Sequence, residues 1–417
     1  MSTKRIYLVL MAGIALLLAS CRQDTPALPA QSGDATVITF NSPYTVDSRS
    51  DAMRSGGFEE GDQVGVLGYC RAQNGGVDIS ASPWDTKKPF STPDVFYNQM
   101  LTYSGSGMWD YEWTNSNNNS FWQGYEPVGT LHPWAEDENY TYSFFAYYPY
   151  TTVDNQGEGT IEIDGIEMGK IKLSGSNDRS EPTITYTMSH GEGVSLRSTH
   201  NWWQVPDFML AYTTDHRKQD GTVKLNFRHL FCAFEFRVNN YNEYPVNISD
   251  LYITGGTEND PRTGFYKSVT VTGQESGYKV GEDIYIGRFK LIEGKQSGGF
   301  ECPRATRDEN DEIVPSVTDI LSREAGHENE KISLLFIPDE NGKITSDGNK
   351  SVNISLQATS EDGKSIDGEF SMNLEESTFQ PGVRSIFNIN IIGNDFYIQV
   401  RSDGSWEDEG DSDIIFE

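Results

Sequence analysis

Between Val223 and Val238 the apolar residues keep a two-residue period and then change step. Val223, Leu225 and Phe227 alternate with Lys224, Asn226 and Arg228; after His229 the apolar set becomes Leu230, Cys232, Phe234, Phe236 and Val238. Side chains of a strand point alternately to its two faces, so this period demands extended backbone with one side buried. The change of step demands a bulge, a bend or a switch between sheets, placed here at Arg228 and His229. His229 is therefore expected as a corner residue with a structural role.

The rest of the chain carries the same preference. Its 21 Phe, 21 Tyr and 8 Trp suit a half-buried pleated surface, and 40 Gly with 17 Pro punctuate it as turns do. The fold class read from this is all-β. At 417 residues, two domains are the natural division. A formal charge of -30 excludes a nucleic-acid partner, which needs Lys and Arg gathered on one face. No Asp-x-Asp-x-Asp-Gly spacing occurs, so no metal site is read from the acidic loops.

The beginning of the chain carries the most specific local signal. Lys4 and Arg5 precede a mostly apolar run over 6–19, shorter than the about 20 helical residues that a bilayer requires. It reads as an export signal. Leu18-Ala19-Ser20-Cys21 fits a lipobox, with a diacylglyceryl group expected on the Cys21 thiol. At about 0.8 kcal/mol per buried CH₂, two or three acyl chains would hold the protein on a membrane. Cys70, Cys232 and Cys302 remain, an odd number without short spacing, which implies no disulfide framework and leaves one bridge open.

After a Pro- and Gly-containing spacer over 22–34, residues 35–41 read as a strand with Val37 and Thr39 on one face and Ile38 and Phe40 on the other. The polar segment that follows holds Arg49 and Arg54, either solvated loop charges or a processing site. Aromatic residues crowd between 83 and 149. Trp109, Trp113 and Trp122 among them are either core or an exposed platform on which sugars stack. A charged turn near 213–221 suggests a boundary, giving a signal peptide over 1–20, a tether over 21–34, domains over 35–215 and 216–406, and an acidic tail over 407–417. Further strands are expected near 251–253, 269–271, 283–290, 332–337, 352–358 and 370–374, with one short helix over 317–324.

No catalytic site is legible. The six histidines (His132, His190, His200, His216, His229 and His327) are scattered, without His-Glu-x-x-His spacing, and neither a Gly-x-Ser-x-Gly elbow nor a phosphate-binding glycine loop occurs. The reading is a non-enzyme without a cofactor.

Several stretches together resemble the fimbrillin family of Bacteroidetes lipoproteins. They are the lipobox with its spacer, the strand over 35–41, Phe58-Glu-Glu-Gly61-Asp62-x-Val64-x-Val66 and Tyr142-x-Phe144-x-Ala146-Tyr147-Tyr148-Pro149. Asp207-Phe208-Met209-x-Ala211, Leu225-x-Phe227-x-His229-Leu230 and Pro381-Gly382-x-Arg384-x-x-Phe387-x-Ile389 continue the likeness.

That resemblance implies two β-sandwich domains of transthyretin-like topology in a fimbrial subunit exported as a surface-exposed outer-membrane lipoprotein. It implies cleavage by an arginine-specific protease at Arg49 or Arg54, which removes a placeholder strand containing Val37, Ile38 and Phe40. The emptied groove would then accept a strand from another fimbrial subunit, drawn from Phe396, Ile398 and Val400 or from the tail through Phe416. A surface ligand of host or bacterial origin would be a further partner. The competing reading is a monomeric surface lipoprotein that binds glycans through Trp109, Trp113 and Trp122.

Overall fold

The computed structural model describes residues 36–42, 58–70, 80–113, 122, 125–163, 165–175, 181–189, 207–256, 262–273, 278–282, 284–285, 287–292, 300–320, 333–371, 374, 378–405 and 412–414. Cys21, Arg49 and Arg54 lie outside these residues. Strands dominate, and they gather into sheets around distinct apolar cores.

The first sheet is built from β1 (Phe40–Asn41), β2 (Gln63–Tyr69), β3 (Phe96–Gly105), β4 (Met108–Asp110) and β5 (Tyr142–Tyr148). A second sheet begins with β6 (Glu158–Ile163), β7 (Ile166–Leu173) and β8 (Thr183–Met188) before β9 (Met209–His216), β10 (Val223–Lys224) and β11 (Arg228–His229) return to the first. The order in the first sheet is β10-β1-β4-β3-β2-β5-β9-β11. Both ends of that order come from residues 223–229: the first half pairs with β1 and the second with β9. The sheet therefore curls back on itself, and the Thr213 hydroxyl reinforces the closure by donating to the Lys224 carbonyl.

A curled sheet has an inner and an outer face, and both are covered. Every residue of β2 after Gln63 is buried, as is every residue of β5 before Tyr148. Inside lie Phe40, Phe96, Tyr111 and Phe144, with ring centroids 5.3 to 6.2 Å apart. The outer face packs Leu67, Phe145 and Leu210 against Ile171, Ile184 and Val269 of the second sheet. Two covered faces explain why β2 and β5 read as near-continuous apolar runs.

Chain order crosses these layers. After β12 (Cys232–Asn240), β13 (Val246–Gly255) and β14 (Phe265–Tyr266), the strands β15 (Ser268–Thr272) and β16 (Tyr278–Val280) join β8 in the second sheet, ordered β16-β15-β8-β7-β6. The boundary read between 215 and 216 thus needs correction. Residues 223–229 complete the first sheet and 268–280 extend the second, because hydrogen-bonding edges placed far apart in sequence meet in space.

A second sandwich holds the remaining core. One of its sheets joins β12 to Ser316–Asp319, Ser333–Phe336 and Val383–Ile392, continuing to Asp395–Ser405 and Ser412–Ile414. The facing sheet joins β13 to Gly287–Ile292, Phe300–Cys302, Asn353–Ser360 and Ser365–Ser371. Phe234, Phe236, Phe387 and Ile389 meet Ile248, Ile253, Ile354 and Leu356 between them. The fold is all-β in two sandwiches, as expected.

Other expectations were met or displaced locally. The change of step at Arg228 and His229 is the crossing from the first sheet into β12; the His229 imidazole there is hydrogen-bonded to the Asp207 carboxylate. The helix expected over 317–324 is instead a strand where described: Ser316–Asp319 runs antiparallel to β12, with Val317 opposite Asn239, as suits the β-branched Val317 and Thr318. A four-residue helix, α1 (Trp84–Lys87), occurs elsewhere, after Pro83. Cys70, Cys232 and Cys302 are buried and no disulfide joins any two of them, which closes the alternative of a bridge.

Candidate functional site

Residues 36–42 do not lie on the molecule's rim; they fill an interior place in the first sheet. Phe40 is opposite Trp109 of antiparallel β4 on one side and opposite Val223 of parallel β10 on the other. Before that, Val37 forms an antiparallel bridge with Pro133. Three separated segments, around 107–109, 132–134 and 223–225, therefore make up the seat.

The alternation written in the sequence sets the orientation. Ile38 and Phe40 are fully buried, and Val37 and Thr39 are half-buried on the other face. Burying these two side chains is worth about 1.5–3 kcal/mol each. The Phe40 ring meets Phe96, Tyr111 and Phe144 at centroid distances of 5.9, 5.9 and 5.3 Å.

Backbone bonds complete the seat. Val223 and Leu225 donate to the Thr39 and Asn41 carbonyls, both at 2.8 Å. Ile38 donates to the His132 carbonyl and Ser42 to the Gly107 carbonyl, again at 2.8 Å, while Trp134 donates to the Thr36 carbonyl at 3.1 Å. The Tyr111 hydroxyl donates to the Ile38 carbonyl at 2.7 Å; burial pushes its pKa far above the ordinary range, so the proton stays available. None of these groups can be left bare and buried without a cost of about 1–3 kcal/mol.

His132 is the electrostatic oddity of the site. It is fully buried against Trp113, Trp122 and Phe96, at 4.1, 4.3 and 5.3 Å between centroids, and its Nδ1–H donates to the Pro133 carbonyl at 2.6 Å. Desolvation lowers its pKa to about 4, only partly offset by that bond, so the ring is neutral near pH 7.

The segment carrying Arg49 and Arg54 joins two anchored ends. At one end Ser42 donates from its hydroxyl to the Leu225 carbonyl at 2.6 Å. At the other, Phe58 is buried against Trp109 and Phe227, at centroid distances of 4.7 and 4.8 Å. A cut between them would separate residues 36–42 covalently from a body whose new first turn is already clamped.

A sequence model described as fimbrillin-like matches residues 49–402. The chain belongs to the fimbrillin-like family. This is a family of structural, non-enzymatic proteins. The part of the fimbrillin-like chain that matches begins after the seated strand, which is thus outside the match. No curated protein matches it in sequence. Among solved structures it is similar to a fimbrial protein from Bacteroides vulgatus, with 18% identity, a TM-score of 0.51 and coverage of 82% of this chain and 92% of that one. It is also similar to the C-terminally truncated tip fimbrial protein Mfa3 from Porphyromonas gingivalis, with 8% identity, a TM-score of 0.30 and coverage of 88% and 98%.

The structure places the remaining site residues apart from the seat or inside it. Trp109, Trp113 and Trp122 are 3%, 6% and 1% exposed, so these three offer no stacking face for a sugar. That reading is corrected: Trp109 meets Phe58 and Tyr103 edge-on, Trp122 meets His132 edge-on, and Trp113 lies tilted against His132. Ile398 and Val400 belong to the core of the C-terminal sandwich, with Phe396 packed at its margin. Sequence reasoning missed the strand's partners altogether. His132 and Pro133 carry no periodic signal, and Val223 and Leu225 announce a strand without naming its neighbour.

Proposed function

We propose that this fimbrillin-like protein is a structural or adhesive subunit of a cell-surface fimbria, assembled by exchange of the strand over 36–42. It is exported as an outer-membrane lipoprotein through Cys21. An arginine-specific protease then cuts at Arg49 or Arg54, residues 36–42 depart, and an extended segment of another fimbrial subunit takes their place. The observation carrying this reading is the interior position of residues 36–42, bonded along both edges and followed by an arginine-bearing connection. An emptied seat would expose backbone donors, backbone acceptors and an aromatic socket, which an incoming strand satisfies together.

The proposed donor is the tail and not the strand Asp395–Ser405. Withdrawing Phe396, Ile398 and Val400 would dismantle the core they help to form, whereas among the described residues Ser412–Ile414 pairs with the edge of that strand alone. The tail also repeats the inward spacing of the seated strand, with Ile414-x-Phe416 matching Ile38-x-Phe40.

Trypsin treatment of the purified chain tests the proposal. It is expected to release a peptide ending at Arg49 or Arg54 and to give multimers on a native gel; a purely monomeric product after complete cleavage overturns it. On cells, a mature N-terminus at Ser50 or Ser55 marks a processed subunit, and lipidated Cys21 marks an anchored one.

A further inference from the structure

Among the described residues, four buried side-chain atoms at the seat have no hydrogen-bond partner: Trp109 Nε1, Trp134 Nε1, His132 Nε2 and Asn41 Oδ1. Each belongs to the strand or to a residue directly paired with it. Trp109 is opposite Phe40, Trp134 donates its backbone N–H to Thr36, and His132 accepts from Ile38. Trp109 and Trp134 are 3% exposed and His132 is fully buried, so solvent does not reach the orphaned groups. Two are donors without acceptors. The third, Nε2 of a ring whose Nδ1 carries the proton, is an acceptor without a donor. The occupant brings the fourth mismatch itself in Asn41.

Buried polar groups are almost always paired, and leaving one unpaired costs more than an ordinary hydrogen bond contributes. Yet the apolar and backbone fit of residues 36–42 is good, so the mismatch is one of side-chain polarity alone.

We infer that the seat selects an incoming strand carrying a side-chain hydroxyl within reach of these atoms, and that residues 36–42, whose Thr39 and Ser42 hydroxyls are bonded instead to Thr222 and the Leu225 carbonyl, are an imperfect occupant held in its place. A hydroxyl both donates and accepts, so serine or threonine is the side chain that answers indole N–H and imidazole nitrogen alike. The inference rests on the exchange reading above and adds the chemistry by which one extended segment of a partner subunit displaces another.

A competition experiment on the trypsin-cleaved full-length chain tests it. The labelled peptide with the sequence of residues 36–42 is loaded into the seat, and displacement is followed by fluorescence anisotropy with synthetic seven-residue peptides. A single threonine is scanned through the five positions that do not already carry one. At least one threonine peptide is expected to compete tenfold better than the parent sequence. A scan in which all five compete no better than the parent overturns the inference, since no added hydroxyl then meets an orphaned group. As a control on shape, replacing Trp109 or Trp134 by its benzothienyl isostere, which lacks the N–H, is expected to slow release of the parent peptide severalfold; unchanged release from both overturns the inference as well. If the cleaved chain neither releases nor rebinds the parent peptide, the exchange reading itself fails, and this inference with it.

Discussion

Leu225 is bonded twice by the N-terminal strand: its N–H donates to the Asn41 carbonyl at 2.8 Å, and its carbonyl accepts from the Ser42 hydroxyl at 2.6 Å. Leu225 and Ser42 are both buried, and Asn41 is half-buried. Ser42→Ala leaves the Leu225 carbonyl unsatisfied by a side chain and is expected to cost about 1–3 kcal/mol. Urea denaturation reads this as a lower midpoint with unchanged slope, and cleavage near Arg49 should release the N-terminal peptide faster than from the parent. An unchanged midpoint would show that this bond contributes nothing.

Acid should loosen the same region. His132 has an ordinary value near 6.5 when unfolded and about 4 in the fold, because burial disfavours its charged form. The stability it lends is complete above about 6.5 and is lost as pH falls toward 4, by about 3 kcal/mol in all. His216, also lowered chiefly by burial, adds in the same direction. Thermal melts between pH 7 and 4 should slope downward, and His132→Phe should flatten part of that slope. A parallel slope in the variant would remove His132 from the account.

Gly65 tests the packing of the central strand. A Cβ there would lie 2.4 Å from Cε1 of Tyr147 and 2.7 Å from Oδ1 of Asn98, and those two side chains are tied by a 2.6 Å hydrogen bond from the Tyr147 hydroxyl. Neither can withdraw cheaply. Gly65→Ala is expected to destabilise by about 1–3 kcal/mol or more, seen as a lower melting temperature.

Trp122 separates a core role from a sugar-binding one. The ring is 1% exposed and its indole N–H donates to the Asp94 carbonyl. Trp122→Ala should lower stability by about 3–5 kcal/mol and leave retention on polysaccharide columns as it was. Lost retention in a variant of undiminished stability would reverse that assignment.

Much of the architecture was legible because burial writes itself as period. The alternation around Ile38 and Phe40, the change of step at His229 and the apolar runs of β2 and β5 all follow from which faces are covered. What was not legible depends on pairing between segments far apart in the chain. Trp109 and Trp122 could be counted as aromatic but not placed, since a ring buried on His132 and one open to solvent have the same sequence. Likewise Val223 declares a strand, but only the fold gives it Phe40 as neighbour, 183 residues earlier.

The seam in the curled sheet also reads chain direction. Its two walls run opposite ways, since the strand over 36–42 is antiparallel to β4 and parallel to β10. A segment laid in backwards would be parallel to the first wall and antiparallel to the second, with its donors and acceptors out of step along both. One orientation alone is accommodated. If the seam is where subunits join, every joint repeats that orientation, and the polymer acquires a head and a tail from a single gap between two strands.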